Sequence, residues 1–68
     1  MNRDQLIRAI GQLAKARGVH FAKDTKKGKG SHDVVEYDDK WTTVQSDLNP
    51  GRIERCLKQL GLSMRDIR

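Results

Sequence analysis

Apolar residues recur with a helical period near the start of the chain and again near its end. Residues 2–18 place Leu6, Ile7, Ile10, Leu13 and Ala14 on one face of a helix. Residues 46–62 repeat this pattern with Ile53, Cys56, Leu57 and Leu60. Residues that commonly begin or end helices flank both segments: Asn2, Gly18, Asn49, Pro50 and Gly61. The pattern therefore predicts two amphipathic helices.

Three short segments between the helices alternate apolar and polar residues, as β-strands do. They cover residues 19–23, 31–37 and 41–44, and a tight "DDK" turn joins the last two into a hairpin. On the middle strand, alternation places His32, Val34 and Glu36 on one face. The chain is therefore predicted to be one domain, residues 1–68, with the order α-β-β-β-α. This order indicates an α+β two-layer sandwich, with two helices on one face of a three-stranded antiparallel sheet, as in double-stranded-RNA-binding domains.

Composition narrows the class of protein. Fourteen Lys and Arg residues against nine Asp and Glu residues give a net charge of +5, which favours a polyanionic partner such as nucleic acid. Many small proteins carry such an excess without one. No apolar run could span a bilayer and no signal-peptide pattern is present, so a cytoplasmic protein without membrane contact is expected. A single cysteine and no metal-ligand cluster predict neither an internal disulfide nor a metal or other cofactor.

The segment "KKGKGSH" is the strongest candidate for chemistry. Five of its residues are predicted to contact RNA phosphates: Lys26, Lys27, Lys29, Gly30 and Ser31. Beside a bound phosphodiester, His32 could take the proton of a 2′-hydroxyl group, which would then attack the adjacent phosphorus. A solvated basic loop that ends in a histidine has the same composition, so residue chemistry alone leaves both interpretations open. His20, between apolar neighbours, is interpreted as a structural or partly exposed strand residue.

The other reactive side chains have simpler interpretations. Cys56 lies on the apolar stripe of the second helix and is predicted to be a buried small hydrophobe. Asp38 and Asp39 are predicted to form the hairpin turn rather than a catalytic or metal-binding pair. Tyr37 and Trp41 flank that turn and are predicted to pack in the core or across strands, with stacking on a base as the alternative.

Several of these features together resemble the HicA family of toxin ribonucleases, which are paired with HicB antitoxins. The resemblance rests on "LIRAIGQL", on "GKGSH" before a strand, on "TTV" and on "PGRIERCLKQLGLS". It implies a double-stranded-RNA-binding-like fold, metal-independent cleavage of mRNA with His32 as the catalytic residue, and a HicB-like antitoxin that covers the site. The chain lacks the histidine-containing stretch that many relatives carry after the third strand. A non-catalytic RNA-binding module and a purely protein-binding domain remain the alternative hypotheses.

Overall fold

The computed structural model describes residues 2–24, 32–45 and 48–67, and His32 by its backbone alone. Its elements are helix α1 (Arg3–Arg17), strands β1 (Phe21–Asp24), β2 (His32–Tyr37) and β3 (Lys40–Gln45), helix α2 (Pro50–Gln59) and a short 3₁₀ helix (Met64–Ile67). The predicted order α-β-β-β-α is therefore confirmed. Strand β1 begins two residues later than expected, because the Val19 N–H donates to the Ala14 carbonyl (3.0 Å) and completes the end of α1.

The three strands form one antiparallel sheet in the order β1-β2-β3. Strands β2 and β3 are a hairpin in which Tyr37 pairs with Lys40 across a two-residue turn. Asp38 has a positive φ of 58°, a conformation that its short polar side chain tolerates. Its backbone N–H donates to the His20 carbonyl at 2.8 Å. The prediction that Asp38 and Asp39 form the turn is therefore confirmed, whereas Lys40, predicted as the third turn residue, begins β3.

Helix α1 has the predicted caps. The Gln5 N–H donates to Asn2 Oδ1 (2.8 Å) and the Asn2 N–H donates to Gln5 Oε1 (2.9 Å), a reciprocal capping box. Gly18 ends the helix in the left-handed region, with φ 68°.

Helix α2 is also capped by its own sequence. Asn49 accepts from the Arg52 N–H at 2.9 Å, and Pro50 occupies the first helical position. At the other end Gly61 has φ 74°, its N–H donates to the Lys58 carbonyl, and the Leu62 N–H reaches the Leu57 carbonyl at 2.7 Å. These two bonds form a Schellman motif, which requires the left-handed conformation at Gly61.

Both helices pack on the same face of the sheet and leave the other face open. On β2 the side chains of Asp33, Val35 and Tyr37 are buried, whereas Glu36 is exposed. The buried face continues on β3 with Thr42 and Val44. The apolar core joins both helices to these strands; it contains Leu6, Ile7, Ile10, Ala14, Val35, Tyr37, Val44, Ile53, Cys56, Leu57, Leu60 and Leu62. This arrangement confirms the predicted two-layer α+β sandwich.

Candidate functional site

The backbone places His32 at one end of the sheet. It is the first residue of β2 and pairs with Gln45, the last residue of β3. Position 32 belongs to the same alternate set as Val34 and Glu36, which lie on the open face. The five predicted RNA-binding residues lie outside the described residues: Lys26, Lys27, Lys29, Gly30 and Ser31. Two described strands flank these five residues in the sequence. Strand β1 ends before them at Asp24, which pairs with Val34, and β2 begins after them at His32.

An ion pair anchors the chain directly after position 32 to helix α1. Asp33 Oδ2 lies 3.4 Å from Arg3 Nε, and the Asp33 side chain is only 8% exposed. Thr42 makes the equivalent polar contact beneath β3, where its hydroxyl donates to Gln59 Oε1 of α2. Buried polar groups of this kind contribute stability when they are paired. The start of β2 is thus held from the side that the helices cover, while neither α1 nor α2 covers the open face next to it.

The open face offers one large aromatic surface. Trp41 is 64% exposed and lies opposite Glu36 in the β2–β3 register. Glu36 Oε1 in turn lies 3.7 Å from His20 Nε2, and both side chains are about half exposed. Packing in the core or across strands was predicted for both aromatic residues of the hairpin; Tyr37 is buried in the core, whereas Trp41 lies outside it. An exposed indole can stack on a nucleobase, which was the alternative for Trp41.

A second feature lies between strand β3 and helix α2. We call it the β3–α2 groove, a space of about 300 Å³ lined by Thr43, Gln45, Leu48, Arg52, Arg55, Cys56 and Gln59. Arg52 Nη1 donates to Gln45 Oε1 at 3.0 Å, which directs this guanidinium towards the end of β3 that pairs with His32. Of these lining residues none is acidic. The groove therefore brings two guanidinium groups and several neutral polar groups close to the position of the candidate catalytic residue.

Cys56 forms part of the floor of this groove. Its thiol is mostly buried and donates to the Thr43 carbonyl at 3.5 Å. Burial raises the pKa of the Cys56 thiol, which disfavours the thiolate that a nucleophile or metal ligand requires. The prediction that Cys56 is a buried small hydrophobe is confirmed.

A larger concavity of about 640 Å³ lies between α1 and β1. Its cationic lining residues are Arg8, Lys15 and Lys23, together with one carboxylate, Asp4, and the ring of Phe21. It lies on the opposite edge strand from β3, and β2 separates it from the β3–α2 groove. This concavity is therefore a second basic surface, at the opposite edge of the sheet from the β3–α2 groove.

Sequence inspection did not identify Arg52 and Arg55 as candidate site residues. They are three positions apart on α2, so they lie on the same side of the helix, and that spacing was the available signal. Nothing in the local pattern indicated that this side of α2 would meet the exposed edge of β3. Strand order decides that contact.

Across residues 2–24, 32–45 and 48–67, no three His, Cys, Asp or Glu side chains are grouped so that they could hold a metal ion. In the same three ranges, no helix has both the length and the apolar character needed to cross a membrane.

Comparisons of the chain with models of protein families, with curated proteins and with solved structures found no match.

Proposed function

We propose that this chain is an endoribonuclease of the HicA type, which cleaves mRNA with His32 as its catalytic residue and is neutralised by a HicB-like antitoxin in the cytoplasm. The observation that carries the proposal is the position of the Gly-Ser-His tripeptide. Its histidine begins the middle strand of an α-β-β-β-α fold, and the paired residue Gln45 lines a groove that contains two arginines. The net charge of +5 supports an RNA substrate.

The proposed reaction uses the substrate's own nucleophile. Neutral His32 accepts the proton of a ribose 2′-hydroxyl, and the 2′-oxygen then attacks the adjacent phosphorus. The 5′-oxygen leaves with a proton from the imidazolium or from water, so the products are a 2′,3′-cyclic phosphate and a 5′-hydroxyl. Cationic groups that contact the phosphate would stabilise the charge that develops in the transition state. No metal or other cofactor takes part in these steps.

Two histidine variants test the proposal. The wild-type chain and the His32→Ala and His20→Ala variants would be purified without antitoxin and incubated with RNA in EDTA. Fragments with 2′,3′-cyclic phosphate ends should appear for the wild type and for His20→Ala, whose side chain is exposed beside Glu36. His32→Ala should cleave about 100-fold or more slowly, since general acid–base assistance contributes about 10²–10⁴-fold. Equal cleavage by His32→Ala, or none by the wild type, would contradict the catalytic role.

The pH dependence gives a second check. If neutral His32 is the base, the cleavage rate should fall as the pH decreases through the ordinary histidine pKa of about 6.5. A rate that is constant between about pH 5 and pH 8 would refute this role for His32.

The same fold could also serve as an RNA-binding module without catalysis, and the exposure of Trp41 favours this second candidate because stacking needs no reactive group. Such a module would bind RNA in a salt-sensitive way and leave it intact. A purely protein-binding domain would instead bind an antitoxin-like partner and have no affinity for RNA. Measuring RNA binding and RNA cleavage on the same preparation separates these functions, and co-expression with a neighbouring antitoxin gene tests the proposed partner.

A further inference from the structure

The β3–α2 groove has a charge distribution that suits an anionic ligand. Arg52 and Arg55 contribute two guanidinium groups, and the remaining polar lining residues are neutral: Thr43, Gln45 and Gln59. Among the described residues Arg55 forms no salt bridge. The nearest acidic residue of the helix, Glu54, lines a different concavity together with Lys58 and Arg65. The positive charge of Arg55 is thus not neutralised by the described residues that line the groove.

The geometry of the two arginines suits phosphate in particular. Residues three apart on a helix have Cβ atoms about 5–6 Å from one another, so the two side chains can reach one phosphate or two successive ones. Guanidinium groups present parallel N–H donors that match the oxygens of a phosphate. The bond from Arg52 to Gln45 shows that one of the two guanidiniums already extends across the groove to β3.

The groove also adjoins a stacking surface and the proposed catalytic position. Trp41, Thr43 and Gln45 are alternate exposed residues of β3, so their side chains follow one another at about 6.8 Å along the strand. The row begins at an exposed indole and ends at the residue paired with His32. A single strand of nucleic acid needs this combination of aromatic surface and cationic groove, whereas an acidic peptide has no base to stack.

We propose that the β3–α2 groove binds phosphates of the single-stranded RNA substrate, with Arg52 and Arg55 as the phosphate ligands and Trp41 as the residue that stacks on a base. The inference rests on the proposed function, because it assigns the groove to the substrate of His32. It identifies Arg52 and Arg55 as substrate-binding residues that act independently of the lysines in residues 26–29.

The test measures binding separately from cleavage. A fluorescein-labelled single-stranded RNA oligonucleotide would be titrated by anisotropy against the His32→Ala variant, in which substrate stays intact, at several salt concentrations. Arg55→Gln would be added to this background. Arg65→Gln would serve as the matched control, because it removes the same charge from the 3₁₀ helix, in the separate concavity lined by Glu54 and Lys58. Thermal denaturation of each variant confirms that it is folded.

Arg55→Gln should weaken RNA binding about tenfold at about 0.15 M salt. It should also reduce the slope of log K against log salt by about 0.7, the contribution of one contact to a single-stranded phosphate backbone. Arg55→Lys should retain most of the salt slope, because it keeps the charge. Trp41→Ala should weaken binding at all salt concentrations without changing the slope. Arg65→Gln should leave both the affinity and the slope close to those of the background variant.

Equal effects of Arg55→Gln and Arg65→Gln would overturn the proposal, since net charge would then explain both. Unchanged RNA binding by Arg55→Gln, together with weaker binding of a hexaglutamate peptide, would assign the groove to an acidic protein partner instead and also overturn it. Failure of the proposed function is distinguishable from either result. In that case the wild type does not cleave RNA, while Arg55→Gln, but not Arg65→Gln, reduces both the RNA affinity and the slope of log K against log salt. The groove assignment would then stand and the catalytic proposal would fail.

Discussion

Replacement of Asp33 by Asn should destabilise the domain strongly, although the two side chains have nearly the same shape. Asp33 is 8% exposed and its carboxylate lies 3.4 Å from Arg3, which is 28% exposed. The substitution removes the carboxylate charge that faces the partly buried guanidinium of Arg3. Loss of one partner of such a pair costs about 2 kcal/mol.

This cost is large for a chain of 68 residues. A domain of this size is stable by about 3–10 kcal/mol in total. Because about 1 kcal/mol shifts the melting temperature of a small domain by about 4–8 °C, Asp33→Asn should melt about 8–16 °C below the wild type. Thermal and urea denaturation followed by circular dichroism measure both quantities.

A double-mutant cycle with Arg3→Gln tests whether the ion pair is the cause. If Asp33 and Arg3 stabilise the fold through each other, the double variant should lose less stability than the two single variants together, with a coupling free energy of about 1–2 kcal/mol. A melting temperature of Asp33→Asn within about 2 °C of the wild type would refute the reasoning. A coupling energy near zero would show that Asp33 acts through other contacts.

Two further predictions concern the C-terminal part of the chain. Gly61→Ala should destabilise the domain by about 1 kcal/mol, because residue 61 has φ 74°. The control variant Gly51→Ala, within helix α2, should not destabilise it. Similar denaturation midpoints for the two variants would contradict this prediction. The N–H of Ser63 and the guanidinium of Arg17 lower the pKa of Asp66. The Asp66 carboxylate therefore contributes stability above its pKa in the unfolded chain, near 3.9, and this contribution is lost as the pH falls through its lower pKa in the folded protein. Asp66→Asn should therefore flatten the loss of stability between about pH 5 and pH 2, and an unchanged acid-denaturation curve would count against it.

The boundaries of the helices could be predicted from sequence because they depend on neighbouring residues. Asn2 and Asn49 cap N–H groups only three residues away, and the Schellman motif at Gly61 involves residues 57–62. Such contacts form between groups that the chain itself keeps close. The same locality explains why the turn at Asp38 and Asp39 and the burial of Cys56 on the stripe of α2 were predicted correctly. The strands differed more: the end of α1 takes up Val19, and β3 begins at Lys40 and ends at Gln45.

The candidate site was predictable only in part. The tripeptide that ends in His32 is visible in the sequence, and so is its place at the start of a strand. The ion pair next to His32 could not be predicted, because it joins Asp33 to Arg3 across 30 positions of sequence. Alternation on a short strand also could not show which face the helices would cover, so core or cross-strand packing was predicted alike for Tyr37, which is buried, and for Trp41, which is exposed.

The sequence by itself therefore determined the helices and the hairpin, since each depends on short-range hydrogen bonds or on periodicity. It also supplied the Gly-Ser-His motif and the resemblance from which His32 is proposed as the catalytic residue. Only the tertiary structure decided what surrounds position 32. Strand order places β3 at the edge of the sheet, and the packing of α2 against that strand brings Arg52 and Arg55 beside Gln45. The physical reason is that these contacts join separate elements, so they are set by how the apolar faces pack together rather than by any local pattern.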